Sequence, residues 1–164
     1  MEKIYIKLQK RLLKLWRDKL KDYVIYTAGG MSKFGVDNFD KSNEWRKYCK
    51  NALENYDDRK HRVIVINPND YYNMLDSSTY DSEKEVMEFD LMKMKNSDLI
   101  ICNFNDPKSL GTMAEIAIAY DNRIPVIGLN EENIELHPWQ TEFCRRIFTD
   151  IDLMLDYIED YYLT

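Results

Sequence analysis

The chain has 164 residues, of which 45% are hydrophobic and 13% aromatic, values that fit one domain with a buried core and leave little room for two. The net charge of −6 is uneven, because residues 1–22 hold eight Lys or Arg and three Asp or Glu, a net +5 that leaves −11 for the rest. Such an acidic body argues against a nucleic-acid-binding surface.

A basic amphipathic helix is predicted over residues 3–21. Apolar residues from Ile4 to Leu20 recur at helical spacing, and Lys and Arg occupy the other side. Such a helix can bind a membrane surface or a partner protein. Beside an acidic body, we expect it instead to cover the domain or a subunit interface. We therefore treat residues 1–22 as an extra N-terminal helix and residues 23–164 as the main domain.

Strands and helices alternate along the main domain. We predict strands at 23–28, 62–66, 98–104, 124–129 and near 146–148, and helices at 42–56, 83–96, 112–121 and 150–163. Strands such as Val63-Ile64-Val65-Ile66 are continuously apolar, which is typical of a parallel sheet covered by helices on both faces. The long loops 29–41 and 67–82 both follow strands, so we expect them on the ligand side of this α/β sheet.

Segment 97–120 carries the first candidate catalytic residue. It reads as a buried strand, a polar loop that turns at Pro107 and Gly111, and a helix beginning near Thr112 that is apolar on every side except at Glu115. A carboxylate is costly to bury, and this one follows the carboxyl end of a strand, where open α/β sheets bind ligands. Because a helix N-terminus favours the ionised form, we expect Glu115 to be anionic at neutral pH, as a carboxylate nucleophile must be.

Asp90 is the second candidate catalytic residue. It falls on the apolar face of helix 83–96, three residues after Met87 and four before Met94. Taken alone, an aspartate in such a place is more often a cap, an ion-pair partner or a sign that the helix has a different phase than a catalyst. Taken together with Glu115, it predicts two carboxylates that converge on one pocket, one as nucleophile and the other as proton donor.

Other motifs are weaker. Gly29 and Gly30 end the first strand and allow an unusual turn and a close approach to a ligand, although a plain tight turn explains them equally well. Neither the dinucleotide fingerprint nor a Walker A motif is present. Tyr72 and two further tyrosines of loop 67–82 are either stacking surfaces for a flat ring or ordinary surface residues. His61 and His137 lack metal-ligand spacing, and we predict no metal and no cofactor.

The cysteines bear on the redox environment. Cys49, Cys102 and Cys144 share no short spacing, so they form no metal or redox motif. The sequence shows neither a signal peptide nor an apolar run near eighteen residues. We therefore expect a cytoplasmic location without membrane association.

Four segments together are similar to a known family. They are Tyr26-Thr27-Ala28-Gly29-Gly30, then Trp45-Arg46, then Asp90 ahead of Ser97-Asp98-Leu99-Ile100-Ile101, and finally Ser109-Leu110-Gly111-Thr112-Met113-Ala114-Glu115 followed by Ile124-Pro125-Val126-Ile127. With these segments the chain resembles the nucleoside 2-deoxyribosyltransferase superfamily over roughly residues 23–130. The helix start that ends in Glu115, between its flanking strands, is the most specific part.

The resemblance implies a fold, a reaction and an assembly. It implies a flavodoxin- or Rossmann-like three-layer sandwich with a five-stranded parallel sheet, and a homo-oligomer in which neighbouring subunits complete the active sites. In that family the glutamate at the place of Glu115 attacks the anomeric carbon of a 2′-deoxynucleoside and forms a glycosyl ester. The aspartate at the place of Asp90 handles the proton on the base, and a tyrosine at the place of Tyr26 positions the glutamate.

Ser109 departs from the classical transferases, which usually carry there an acidic residue that holds the sugar 5′-hydroxyl. The nucleotide N-hydrolase branch resembles this chain in Ser-Leu-Gly-x-x-x-Glu, where a serine accepts a 5′-phosphate. Ser109 and the amides near Gly111 suit an anion at a helix start, but a serine is also an ordinary N-cap. With only Lys33 as a nearby cation candidate, we expect a nucleoside rather than its monophosphate as substrate.

Two alternatives remain open. One is a nucleotide N-hydrolase built on the same residues, and the other is a non-catalytic module that sequesters a small nucleotide. A buried nucleophile gives a binding module little advantage, so the intact pair of carboxylates argues against the second. Tyr72 and Asn130 complete the candidate substrate-binding residues, beside Gly29, Gly30, Ser109 and Gly111.

Overall fold

The computed structural model describes residues 6–7, 20–31, 39–56, 60–71 and 80–164. Within these ranges, strands and helices alternate along the chain. They are β1 (Lys21–Gly29), α1 (Phe39–Asn55), β2 (His61–Ile66), a 3-10 turn (Pro68–Asp70), α2 (Glu83–Lys95), β3 (Leu99–Asn103), α3 (Leu110–Asp121), β4 (Val126–Leu129), α4 (Pro138–Phe143), β5 (Arg146–Phe148) and α5 (Ile151–Tyr162).

The five strands form one parallel sheet in the order β2-β1-β3-β4-β5. This is the doubly wound order in which the direction of winding reverses between β1 and β3. The register pairs Gly29 with Asn103, so the carboxyl ends of these two strands meet at the same edge. The predicted α/β three-layer fold with a five-stranded parallel sheet is therefore confirmed.

Each face of the sheet has its own apolar layer. Side chains of alternating strand residues enter opposite layers, as the pleat requires: Ile25 packs with residues of α1 and α5 such as Leu53 and Met154, whereas Tyr26 packs with Ile116 of α3. Because both faces are covered, the strands are apolar along their length. The second layer is the one that places Tyr26 beneath the helix carrying Glu115.

The N-terminal prediction needs a correction. Strand β1 begins at Lys21, so the last residue of the predicted helix and the predicted boundary at residue 22 fall inside a strand. Lys21 and Asp22 pair with His61 and Arg62 of β2, and the Asp22 carboxylate binds the Arg62 guanidinium at 2.7 Å. Apart from residues 6–7, which are helical and exposed, and residue 20, the rest of the predicted helix lies outside the described residues.

The other predicted elements match the observed bounds to within three residues, and one helix was missed. That helix, α4, has six residues and begins with a capping box, in which the His137 ring accepts from Trp139 and the Gln140 side chain accepts from the His137 N–H. No helix in the described part of the chain is both long enough and apolar enough to span a bilayer.

Candidate active site

A pocket of about 610 Å³ lies where α2 and α3 face the carboxyl ends of β1 and β2. Its apolar wall consists of Met31, Pro68, Val86, Met87, Leu91, Leu110 and Ile118, and its polar side chains are Thr27, Arg46, Asn69, Glu83, Asp90, Ser109, Thr112 and Glu115. A cleft at the carboxyl ends of the strands, beside the point where the winding reverses, is the usual ligand site of this architecture.

Glu115 is held in this pocket by Tyr26. The hydroxyl of Tyr26 donates a hydrogen bond of 2.6 Å to Oε1 of Glu115. Tyr26 is completely buried on β1, so its ring cannot move without disturbing the sheet. The donor therefore fixes one carboxylate oxygen, Oε1.

Burial is the main reason why the pKa of Glu115 rises from 4.5 to about 7. The hydrogen bond from Tyr26 opposes this rise, the negative charge of Asp90 adds to it, and the positive charge of Arg46 opposes it. A pKa near 7 leaves the carboxylate about half ionised at neutral pH, which differs from the fully anionic state expected from the sequence. The reason is position: counted from the cap at Ser109, Glu115 is the sixth helical residue, and the helix dipole acts within the first turn.

The apolar composition of α3 does not mean that the helix is buried on every side. Thr112, Ile116 and Ala119 are buried, but Leu110 is 86% exposed and Tyr120 60% exposed. The outer side of α3 therefore faces solvent in this single chain. Glu115 lies between these two sides, where the helix borders the pocket.

Asp90 lies on α2 in the wall of the same pocket. The face of α2 that was predicted to be apolar is only partly buried. Met94 is fully buried in the core, whereas Met87 is 53% exposed and borders the pocket with Asp90. Asp90 is close enough to Glu115 for its charge to raise the pKa of that carboxyl. The structure thus brings together the two carboxylates that the sequence singled out.

Ser109 and Gly111 lie at the N-terminal end of α3, also in the pocket wall. Ser109 is the N-cap, and its hydroxyl oxygen accepts from the backbone N–H of Thr112 at 3.4 Å and from the Thr112 hydroxyl at 3.0 Å. The N–H groups of Leu110 and Gly111 belong to the first helical turn, where no intrahelical acceptor exists. The serine is therefore a cap and a pocket residue at the same time.

The two glycines at the end of β1 allow other parts of the protein to pack closely against them. A Cβ on Gly29 would lie 3.0 Å from a ring carbon of Trp45 and 3.3 Å from Nη2 of Arg46. A Cβ on Gly30 would lie 2.4 Å from Cβ of Asp106. Neither glycine has left-handed backbone, so the unusual turn suggested by the sequence is not formed. Gly29 borders the pocket, whereas Gly30 packs against the loop that precedes α3.

Of the two remaining predicted binding residues, Asn130 does not line the pocket and Tyr72 is not among the described residues. Asn130 is buried after β4, where its amide donates to the carbonyl of Ile134 at 2.9 Å and accepts from the Ile134 N–H at 3.0 Å, so it closes a loop. Tyr72 lies outside the described residues. Its neighbour Tyr71 is half exposed and packs against Phe89 and Lys93.

Arg46 is the main pocket residue to which the sequence reasoning gave no role. It is only 2% exposed, and its guanidinium donates to the carbonyl of Ser42 and to the carbonyl of Gly29, both at 2.7 Å. One signal was available, because Arg46 stands beside the apolar stripe of helix 42–56, next to Trp45. In the described residues, no group of three or more His, Cys, Asp or Glu is arranged to hold a metal ion.

The fold and site define a flavodoxin-like α/β protein with a carboxylate pocket at the winding reversal. Three solved structures share this fold. The first is a conserved protein from Enterococcus faecalis V583, with a TM-score of 0.65 and 18% identity, and the match covers 84% of this chain and 98% of that one. The second is a 2-deoxyribosyltransferase from Bacillus psychrosaccharolyticus, with a TM-score of 0.56, 18% identity and coverage of 82% and 91% in the same order. The third is the CMP N-glycosidase BcmB from Clostridium botulinum, with a TM-score of 0.53, 17% identity and coverage of 84% and 99%.

No family model and no curated protein matches the chain by sequence. At identities of 17–18% the structural likeness establishes the fold alone. It agrees with the superfamily resemblance on this point, since the solved structures include a 2-deoxyribosyltransferase and a CMP N-glycosidase. The activity of this chain has to be argued from its own site.

Proposed function

We propose that this chain is an enzyme that cleaves the N-glycosidic bond of a 2′-deoxynucleoside and transfers the deoxyribosyl group through an ester on Glu115. The observation that carries the proposal is the Glu115 carboxylate, fixed by the buried Tyr26 hydroxyl at 2.6 Å in a pocket that it shares with Asp90. The likeness in fold to a 2-deoxyribosyltransferase and a CMP N-glycosidase supports it.

The proposed reaction has two displacements. In the first, Oε2 of Glu115 forms a bond to C1′ of the sugar while the C1′–N bond breaks, and the departing base nitrogen takes the bond's electron pair and a proton from the Asp90 carboxyl. In the second, a nitrogen of another base attacks C1′ and gives its proton to the Asp90 carboxylate, while the C1′–Oε2 bond breaks and Glu115 leaves as a carboxylate. Both steps pass through an oxocarbenium-like state, which an adjacent anion stabilises.

The preference for 2′-deoxy sugars follows from the same chemistry. A 2′-hydroxyl withdraws electrons from C1′, and its absence lets the sugar ionise more readily. The apolar wall around Met87 and Leu91 of α2 offers a surface for the base. Ser109, at the start of α3, also lines the pocket and could contact the 5′ end of the sugar.

We further propose that the substrate is a free small molecule, that the protein is a cytoplasmic homo-oligomer, and that no cofactor takes part.

A second candidate function is hydrolysis of a nucleoside 5′-monophosphate with water as the acceptor. The observation in its favour is Ser109, which places a hydroxyl and not a carboxylate beside the first-turn amides of α3. These groups can donate hydrogen bonds to a phosphate. A fold neighbour is also named a CMP N-glycosidase.

The test is an activity panel. Purified protein is incubated with deoxynucleosides and their 5′-monophosphates, with and without a second base, and free and exchanged bases are separated by chromatography. Exchange that requires Glu115 supports the transferase, and base release from monophosphates alone supports the hydrolase. A 2-fluoro sugar substrate should leave an adduct on the wild-type protein, visible by intact mass, and none on Glu115→Gln. Binding without any turnover would favour the sequestering module.

A further inference from the structure

Asn69 is a half-buried pocket residue to which the proposed reaction gives no part. It belongs to the 3-10 turn that follows β2 and borders the pocket. Tyr71, which caps this turn, packs against Phe89 of α2 with 5.2 Å between the ring centres, and Lys93 of α2 lies over the same tyrosine ring. The turn therefore lies beside the helix whose apolar wall is proposed to receive the base.

A network of hydrogen bonds determines how the amide group of Asn69 is turned. The network begins at Asn67, which is fully buried and whose Oδ1 accepts from the backbone N–H of Asn69 at 3.2 Å. Nδ2 of Asn67 donates to the carboxylate of Asp70 at 3.0 Å. A backbone N–H can only donate and a carboxylate can only accept, so these two partners fix the orientation of the Asn67 amide.

The orientation is passed on through Asn43 to Asn69. Nδ2 of Asn67 also donates to Asn43 at 3.0 Å, so Asn43, which is 5% exposed, must present its Oδ1. This oxygen accepts a second hydrogen bond from Nδ2 of Asn69 at 3.1 Å, and Nδ2 of Asn69 also contacts the sulfur of Met31 at 3.2 Å. The nitrogen of the Asn69 amide is therefore engaged within the protein.

The oxygen of the same amide is still available to a ligand. No donor in the described part of the chain forms a hydrogen bond with Oδ1 of Asn69. Because the network holds the nitrogen, the amide cannot turn to offer a donor in place of this oxygen without breaking the hydrogen bond to Asn43. Asn69 thus contributes an acceptor of fixed orientation to a pocket wall.

We propose that Asn69 is a specificity-determining residue whose Oδ1 accepts a hydrogen bond from the exocyclic amino group of the base, so that the pocket favours adenine over hypoxanthine and cytosine over uracil. The assignment of a base as the ligand rests on the proposed function. An amino group donates to the amide oxygen, whereas an oxo group at the same position brings two acceptors together and leaves both unpaired. A site built for a donor rejects an analogue that lacks it.

The experiment measures the binding of three free bases, which needs no turnover. Adenine, purine and hypoxanthine carry an amino group, a hydrogen and an oxygen at the same ring carbon, and their affinities for the wild-type protein are measured by calorimetry. We expect adenine to bind about tenfold more tightly than purine, and hypoxanthine to bind most weakly. In Asn69→Leu, adenine should bind no better than purine.

Variants of Asn43 separate the orientation of the Asn69 amide from its presence, because Asn43 is not among the residues that line the pocket. Asn43→Asp keeps an oxygen that accepts from both neighbouring amides, and it should keep the preference for adenine. Asn43→Leu removes this acceptor, so the intact Asn69 amide is no longer held in one orientation and most of the preference should disappear. Thermal melting shows whether each variant folds, and if Asn43→Leu does not fold, Asn69→Leu decides.

Glu83→Gln is the control for the other nearby acceptor, since Glu83 borders the same pocket at the start of α2. Loss of the preference in this variant, with the preference retained in Asn69→Leu, would assign the role to Glu83 and overturn the inference. Equal binding of adenine and purine to wild type, or no binding of any of the three bases, would overturn it as well. A preference for adenine in a protein that releases no base would leave the inference standing and count against the proposed function. Base release without any preference would do the reverse.

Discussion

Replacing Glu115 with Gln should make the protein more stable at pH 8 while abolishing its activity. Burial raises the pKa of Glu115 from 4.5 to about 7. Between pH 4.5 and pH 7, the folded state therefore holds a proton on Glu115 that the unfolded state has lost. Stability therefore falls as the pH rises through this window and stays low above it. Glutamine has nearly the same shape, can still accept from Tyr26, and carries no charge that must be buried.

The magnitude follows from the size of the pKa change. A rise of 2.5 from the ordinary value of 4.5 to about 7 corresponds to about 3.4 kcal/mol at high pH, at about 1.36 kcal/mol per pKa unit. Between pH 5 and pH 8, the part of this penalty that develops is about 2.5 kcal/mol by the same relation. This penalty is an upper bound, because the pocket is open to solvent and water screens a partly exposed carboxylate.

The assay is urea denaturation of wild type and Glu115→Gln at pH 5, 6, 7 and 8. We expect nearly equal free energies of unfolding at pH 5 and a growing advantage for the variant up to pH 8. Glu135→Gln, the same change at an exposed side chain, should give no such divergence. Parallel curves for wild type and Glu115→Gln across the series would refute the argument that burial raises the pKa of Glu115.

Three further outcomes follow from the site. Asp90→Asn should lower kcat by about 10² to 10⁴ with little change in substrate affinity, because an amide keeps the shape but delivers no proton; loss of thermal stability with normal turnover would instead make Asp90 a structural residue. Ser109→Asp should abolish any monophosphate turnover and spare the nucleoside, and an equal loss on both substrates would show that Ser109 acts only as the cap of α3. Light scattering at tens of micromolar should show a dimer or larger, and a fully active monomer would contradict a shared site.

The fold could be predicted from the sequence because the strands are buried on both faces of the sheet. Val63 to Ile66 and Leu99 to Ile101 form unbroken apolar runs that only a covered parallel sheet explains. The alternation with helices then fixed the element order. The capped helix α4 was missed because it is only six residues long and its signals, Pro138 and the polar pair His137 and Gln140, are also typical of loops.

The site was only partly readable. Glu115 and Asp90 were found because a carboxylate on an apolar helix face contradicts the local pattern. Arg46 was noted with Trp45 in the family resemblance but given no role of its own, because a long basic side chain beside an apolar stripe usually reaches solvent. Its burial depends on Gly29, a residue on another element whose missing Cβ leaves the space. A dependence of one residue on another that is distant in the sequence, such as that of Arg46 on Gly29, arises from packing in the folded protein. It leaves no periodic pattern in the sequence.

The expected interface also changes once the packing is known. Part of the apolar face of α5 is covered within the chain, because Met154, Leu155 and Ile158 are buried in the core. The exposed apolar side chains of the described residues include Leu153 and Tyr161 of α5, and also Leu110, Met87, Tyr120 and Trp139. Leu110 and Met87 border the pocket, so a neighbour that covered them would also narrow the site.

The charges of the pocket decide between a nucleoside and its monophosphate. Its described wall holds the carboxylates of Glu83, Asp90 and Glu115, and the guanidinium of Arg46 is already bound to two carbonyls. A phosphate would therefore depend on Ser109 and the first-turn amides of α3, at roughly 1.5–3 kcal/mol for each charge-assisted hydrogen bond. It would also meet a repulsion that grows as Glu115 ionises through its pKa of about 7.

In the proposed reaction both substrates need the same ionised nucleophile, so this repulsion would affect the ratio of their rates and not the pH limb that they share. We expect the ratio of monophosphate to nucleoside kcat/KM to fall as the pH rises from 6 to 8, measured with both substrates at equal concentration in one mixture. Arg46→Gln removes a positive charge that lowers the pKa of Glu115, so in this variant the fall should shift to higher pH. A ratio that does not change with pH in wild type and in Arg46→Gln would mean that the 5′ phosphate is too far from Glu115 to be repelled by it. The first turn of α3 would then not be the site where the phosphate binds.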